Sequence, residues 1–179
     1  MRRFFILFGR EVSSAFHQPL AYVVMCFFLV VTGFNFHAGV SLLNHSSGTT
    51  TMVEAFFNTV YFWIPLVLVF PLITMRVFAE ESKMGTLETL MTAPVSDLQV
   101  VLAKFSAVMI FYTLLWLPLL AYPYVLYRFT GDPLLLNTGT LAGTFVGILL
   151  FGGLYMSAGV FASSITRSQI IAAMISLAV

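Results

Sequence analysis

The charged side chains of this sequence are few, and nearly half of them fall in one segment. The chain carries eight Lys or Arg and seven Asp or Glu residues, fifteen in all. Residues 76–104 hold seven of these fifteen: Arg76, Glu80, Glu81, Lys83, Glu88, Asp97 and Lys104. Apolar runs flank this polar segment on both sides. We expect its chemistry to be recognition of a soluble partner through charge and hydrogen bonds.

The residues that commonly carry catalysis form no usable pattern. His17, His37 and His45 are the only histidines, and no G-x-S-x-G motif surrounds a serine. His37 and His45 with Glu54 have a spacing that matches no recognised zinc site. A G-x-x-x-x-G-K-[ST] phosphate loop is also missing, so ATP cannot be bound here in that way. We predict no enzyme activity, no catalytic residues and no metal site in this chain.

Composition decides the fold class. Of 179 residues, 60% are hydrophobic and 8% are charged, and the mean hydropathy is +0.99. Soluble domains carry about 25% charged residues, so this chain must be solvated largely by lipid. The net charge of +1 gives no case for nucleic-acid binding. Cys26 stands alone, which excludes a disulfide within the chain. We predict an all-α integral membrane protein, a polytopic helical bundle.

The apolar runs set the number of spans. A membrane helix needs about 20 mainly apolar residues. Residues 20–43, 55–75, 105–127 and 138–165 each meet that requirement. A fifth apolar run begins at residue 169 and continues to 179, which is too short to cross, so we expect this span to be incomplete in the sequence.

The first nineteen residues and the basic residues set the orientation. Residues 1–19 mix aromatic and basic side chains, which predicts a helix lying in the cytoplasmic membrane interface; an inward extension of the first span is the alternative. Lys and Arg favour the cytoplasmic side. With a cytoplasmic N-terminus, seven of the eight lie inside: Arg2, Arg3, Arg10, Arg76, Lys83, Lys104 and Arg167. The polar segment 76–104 is therefore predicted to be cytoplasmic.

Two short helices are predicted within the polar segment. The first covers residues 79–91, with Met84, Leu87, Leu90 and Met91 on one face and a weak point at Gly85. The second begins at Ser96, which can form a capping box with Gln99. A short helix with a Met and Leu face suits docking into a groove on another protein. A connector lying on the lipid surface fits the pattern equally well.

The same stretch resembles a known family. An acidic pair, a Gly-Thr-Leu-Glu run, a leucine, a proline and a helix start recur in the first cytoplasmic loop of ABC-2 type permeases, the membrane subunits of ATP-binding-cassette transporters. Here these elements are Glu80-Glu81, Gly85-Thr86-Leu87-Glu88, Leu90, Pro94 and Ser96-Asp97. Within that family the stretch is most similar to bacterial gliding-motility permeases. The order of spans around it agrees.

The resemblance implies a transporter half with six spans that works as a homo- or heterodimer in the bacterial inner membrane. It implies a coupling helix that contacts a separate ABC ATPase, which would bind ATP and Mg. The residues that carry this role over are Glu80, Glu81, Lys83, Met84, Gly85, Thr86, Leu87, Glu88, Leu90 and Met91. We expect an ATP-driven permease, most simply an exporter. A membrane scaffold that anchors a cytoplasmic complex without transport is the alternative.

Two further patterns bear on mechanism. No Asp, Glu, Lys or Arg lies well inside a predicted span, so motion driven from outside the bilayer fits better than an ion relay. Gly139, Gly143 and Gly147 repeat every four residues, a spacing that lets helix backbones approach closely. We predict that this stripe packs within the bundle; a contact between two subunits is the alternative.

Overall fold

Helices account for nearly all of the backbone in the computed structural model, which describes residues 2–45, 52–86, 96–131 and 138–178. No strand occurs within those ranges. In chain order the helices are α1 (Arg2–His17), α2 (Pro19–His45), α3 (Met52–Phe57), α4 (Val60–Thr74), α5 (Ala79–Met84), α6 (Asp97–Trp116), α7 (Ala121–Thr130), α8 (Thr138–Ile165) and α9 (Gln169–Ala178). A 3-10 turn, Leu117–Leu120, joins α6 to α7.

Four helical stretches are long and apolar enough to cross a membrane. They are Pro19–Asn44, Val60–Met84, Asp97–Thr130 and Thr138–Ile165. Long apolar helices satisfy their own backbone hydrogen bonds, which is the condition for crossing lipid. The predicted fold class, an all-α membrane bundle, is confirmed.

The predicted second and third spans differ from the helices in detail. The run predicted over residues 55–75 is split, because α3 ends at Phe57 and α4 begins at Val60. The run predicted over residues 105–127 starts earlier, since α6 begins at Asp97. It also changes geometry at Pro118, where the 3-10 turn lies, because proline has no N–H to donate to the helix ladder. Lys104 lies inside this continuous helix, as expected for a helix that begins near Ser96 and leads into the span.

The core is an aromatic cluster between α2, α4, α6 and α8. The Trp116 indole is 1% exposed, and its ring centroid lies 5.1 Å from that of Phe28 and 5.8 Å from that of Phe62. Further toward α8, Phe70 stacks on Tyr155 with centroids 5.3 Å apart. The Tyr112 hydroxyl donates to the Ile148 carbonyl at 3.1 Å. These contacts hold the long helices together as a single packed unit.

Close helix approach occurs at glycines other than the predicted ones. Gly143 and Gly147 are exposed, and a methyl group added at either would meet no described atom within 4 Å. Gly139 is exposed as well. Among the described residues, Gly143 and Gly147 have no such packing neighbour, and the role of the whole stripe stays a prediction. Gly152 and Gly159 make the close approaches instead, to Tyr112 and Thr74 respectively.

The N-terminal helix packs along α6 and also touches α2. The Phe16 ring lies 5.6 Å from that of Phe111 on α6. On its other side, Phe5 and Ile6 are 64% and 65% exposed. Such an apolar outer face suits contact with lipid. The interfacial position of α1 stays a prediction.

Candidate functional site

Short α5 is fastened to the end of α8 by one serine. Ser163, which is fully buried, accepts hydrogen bonds on Oγ from the backbone N–H groups of Phe78 and Ala79, at 3.0 and 3.1 Å. The same hydroxyl donates to the Met75 carbonyl at 3.1 Å. These N–H groups belong to the first turn of α5, where a helix has no backbone partner of its own. Ser163 thus acts as a cap supplied by a distant helix.

A cluster of four charged side chains fastens α5 to α6 and to α1. The Lys104 ammonium on α6 lies 2.9 Å from Oε1 of Glu81 on α5 and 3.1 Å from Oε2 of Glu11 on α1. Arg10 completes the cluster, with its guanidinium 2.8 Å from Glu11 and 3.9 Å from Glu81. Two cations and two carboxylates balance to zero charge. Three helices separated along the chain therefore meet at Lys104.

Burial makes this cluster structurally significant. The Lys104 side chain is 3% exposed, whereas those of Glu81 and Glu11 are 20% and 15% exposed. The ammonium also lies 5.3 Å from the centroid of the Phe78 ring, within the range of a cation–π contact. A charge removed from water this thoroughly must be paired, because an unpaired one is strongly destabilising. These ion pairs therefore hold α5 against α1 and α6, which exposed ion pairs on the protein surface would not do.

The C-terminal end of α5 is exposed. Lys83, Met84, Gly85 and Thr86 are exposed, and Met84 retains 62% of its accessible surface. Gly85 has a φ of 71°, in the left-handed region that glycine tolerates, and it ends the helix as its C-cap. Of the helix predicted over residues 79–91, the described part ends at Met84, and the chain turns at the weak point predicted at Gly85.

The remaining residues of the predicted coupling set lie beyond this turn. Leu87, Glu88, Leu90 and Met91 fall outside the described residues. The second predicted helix does follow, and Ser96 stands at its N-cap. Its side chain makes no capping hydrogen bond, so the predicted capping box is not formed. The Ser96 carbonyl instead accepts from the Gln99 N–H at 2.9 Å.

The sequence singled out the acidic pair but not the groups that hold it. Of that pair, Glu81 binds Lys104, whereas Glu80 points toward a neighbouring cavity. Sequence reasoning gave no binding role to Ser163 or to Glu11. Their bonds join residues 84 to 93 positions apart in the chain. The sequence feature that could have indicated these bonds is Lys104, a lysine in a mainly apolar helix.

Comparison with known protein families gives the class of this protein. A family model described as "ABC-2 family transporter protein" matches residues 17–179, which includes α5, Lys104 and Ser163. The chain belongs to the ABC-2 transporter family. It is thus a multi-pass membrane protein of permease type, and no nucleotide-binding domain is evident among its residues. No curated protein and no solved structure matches it.

Proposed function

We propose that this ABC-2 protein is the permease subunit of an ATP-driven exporter in a bacterial inner membrane, with its N-terminus in the cytoplasm. It pairs with a second permease subunit and with a separate ABC ATPase that binds ATP and Mg. Within the family we place it nearest the gliding-motility permeases, on the Glu80–Pro94 resemblance. The ATPase contacts the exposed side of α5.

The observation that carries this proposal is the double attachment of α5. The helix is bonded to α6 through Lys104 and to α8 through Ser163, while Lys83 and Met84 at its C-terminal end are exposed. A segment that only connects two spans needs no such bonds. A segment that transmits force needs both an accessible face and rigid links to the spans.

The proposed mechanism follows from these links. ATP binding closes the partner ATPase dimer and displaces α5. Because buried polar bonds resist separation, α6 and the end of α8 move with it. Packed helices have a few discrete arrangements rather than a continuum, so a small displacement at α5 becomes a change in how the spans pack.

Site-specific photocross-linking in intact cells tests the proposal. A photoreactive amino acid replaces Met84 on α5 or, as the control, Phe129 at the other end of the helical run Asp97–Thr130. Both side chains are exposed, at 62% and 85%. We expect position 84, and not 129, to cross-link to a protein whose peptides contain a phosphate loop. If no such ATPase is cross-linked from position 84, the proposed docking of the ATPase on α5 is contradicted.

A further inference from the structure

A cavity of about 600 Å³ opens beside α5, between α1, α2, α4 and α6. Its charged wall consists of Arg10, Glu11, Arg76, Glu80, Glu81 and Lys104. Its apolar wall includes Leu20, Ala21, Val24, Leu72, Ile73 and Phe111. The volume is within the range of about 300–1,000 Å³ that is usual for small-molecule sites. A ligand complementary to both walls is polar at one end and apolar at the other.

The charged wall carries no net charge, but two of its buried polar atoms lack a hydrogen-bond partner. Three cations face three carboxylates, and four of these six groups form the cluster around Lys104. Among the described residues Arg76 and Glu80 form no ion pair. Arg76 Nε is buried without a hydrogen-bond partner, and so is Glu81 Oε2. The wall therefore presents one unused buried donor and one unused buried acceptor.

These two unused groups define the polar end of the ligand. A guanidinium donates strong hydrogen bonds to phosphate, so a phosphate oxygen is the acceptor that suits Arg76. Glu81 Oε2, with Glu80 nearby, calls for an N–H donor that carries positive charge. A neutral wall favours a group whose own charges cancel. An anionic headgroup would leave the carboxylates unmatched, and a quaternary ammonium has no N–H to donate.

The apolar wall defines the remaining part of the ligand. Its side chains belong to the beginning of α2, the end of α4 and the middle of α6, all within the candidate spans. An acyl chain packs against such a surface through van der Waals contact, as apolar side chains pack against one another in the bilayer. The cavity accommodates a headgroup and the start of a chain, with the remainder in the bilayer.

We propose that this cavity binds a phospholipid with a primary ammonium headgroup, of the phosphatidylethanolamine type. Arg76 binds the phosphate, Glu80 and Glu81 bind the ammonium, and the apolar wall receives an acyl chain. The inference goes beyond the proposed function, because binding requires neither ATP nor a partner ATPase. The lipid would brace α1 against α5 at the point where the Lys104 cluster joins them.

Native mass spectrometry of the purified, delipidated full-length permease tests the site. The protein is offered equal amounts of phosphatidylethanolamine, phosphatidylglycerol and phosphatidylcholine. We expect phosphatidylethanolamine to be retained about tenfold over each of the others, the effect of one charge-assisted hydrogen bond. Equal retention of the three lipids would overturn the proposal. So would full displacement by an equal concentration of glycerophosphoethanolamine, which shares the headgroup and lacks the chains.

Two substitutions separate a site from a general loss of folding. Glu80→Gln leaves the wall with one excess positive charge, so the preference should shift toward phosphatidylglycerol rather than vanish. Arg76→Gln should reduce retention of phosphatidylethanolamine about tenfold. The control is Arg167→Gln, an exposed arginine outside the cavity, which should leave retention unchanged. Unchanged selectivity in Glu80→Gln, or a uniform loss of all three lipids, would refute the assignment.

Discussion

At the scale of the residue, Lys104 decides how the α5 end of this ABC-2 permease is held together. Its ammonium is removed from water and satisfied by Glu81 and Glu11, which come from two different helices. A buried pair contributes little net stability compared with an apolar replacement of the whole group. Loss of a single partner is different, because it leaves charge uncompensated in a poorly solvated place.

Lys104→Met should therefore destabilise the protein by about 3 kcal/mol, the usual cost of breaking a buried pair. The triple variant Lys104→Met with Glu11→Gln and Glu81→Gln should recover most of that loss, since the one charge left unpaired, that of Arg10, is 54% exposed and stays solvated. Thermal unfolding of the purified permease in detergent measures both effects. Lys83→Met, at an exposed lysine on α5, is the control and should change stability by less than about 1 kcal/mol. A triple variant no more stable than Lys104→Met would contradict this account.

The sequence could indicate only part of this cluster. A lysine at the border of an apolar run predicts a position near the cytoplasmic end of a span, by the distribution of basic residues. Its partner Glu11 lies 93 residues away, and no local pattern connects the two. Long-range polar pairs depend on how the helices pack, which single-sequence periodicity does not contain.

At the scale of the element, the bond between α5 and α8 rests on one hydroxyl. Ser163→Ala would leave the N–H groups of Phe78 and Ala79 buried without an acceptor, and each such group costs about 1–3 kcal/mol. We expect hydrogen exchange at these two amides to accelerate at least tenfold. The neighbouring Ser164 provides a matched control, because it is exposed and its Oγ donates only to the Phe161 carbonyl of its own helix. Equal exchange in the two alanine variants would show that Ser163 does not hold α5.

Packing of α4 against α8 gives a second prediction at this scale. A methyl at Gly159 would lie 2.7 Å from Thr74 Cβ and would overlap the Thr74 hydroxyl, and Thr74 is fully buried. Gly159→Ala should lower stability by about 1–3 kcal/mol, the usual cost of overpacking. Gly147→Ala on the same helix has open space and should be neutral in this chain. Detergent melting curves compare the two, and equal melting temperatures would contradict the packing described here.

The glycines also show what spacing alone can predict. A repeat of small residues indicates a face that permits close approach, and α8 does have such faces. It does not say which helix approaches. Gly152 meets Tyr112, and Gly159 meets Thr74, because bulky partners lie opposite those two positions. Gly143 and Gly147 have no such neighbour among the described residues. The use of the stripe that they form with Gly139, within the bundle or against a second subunit, stays a prediction.

At the scale of the whole molecule, apolar length predicted the fold class and the spans, since crossing lipid depends on local composition. Apolar length alone did not predict the interruptions at Asn58 and at Pro118, of which the second follows from the missing N–H of proline. The polar segment was recognised from its charge, whereas its attachment to α6 and α8 became visible only in three dimensions. That attachment is the basis for the proposed transmission of movement from α5 to the spans.

Cysteine labelling in intact cells tests the central claim, that α5 faces the cytoplasm and is accessible to a soluble motor. Cys26, which is exposed, is first replaced by alanine, and single cysteines are then placed at Met84 or Phe129. A membrane-impermeant maleimide should label position 129 in intact cells and position 84 only after permeabilisation. Labelling of position 84 in intact cells would place α5 outside and contradict the account.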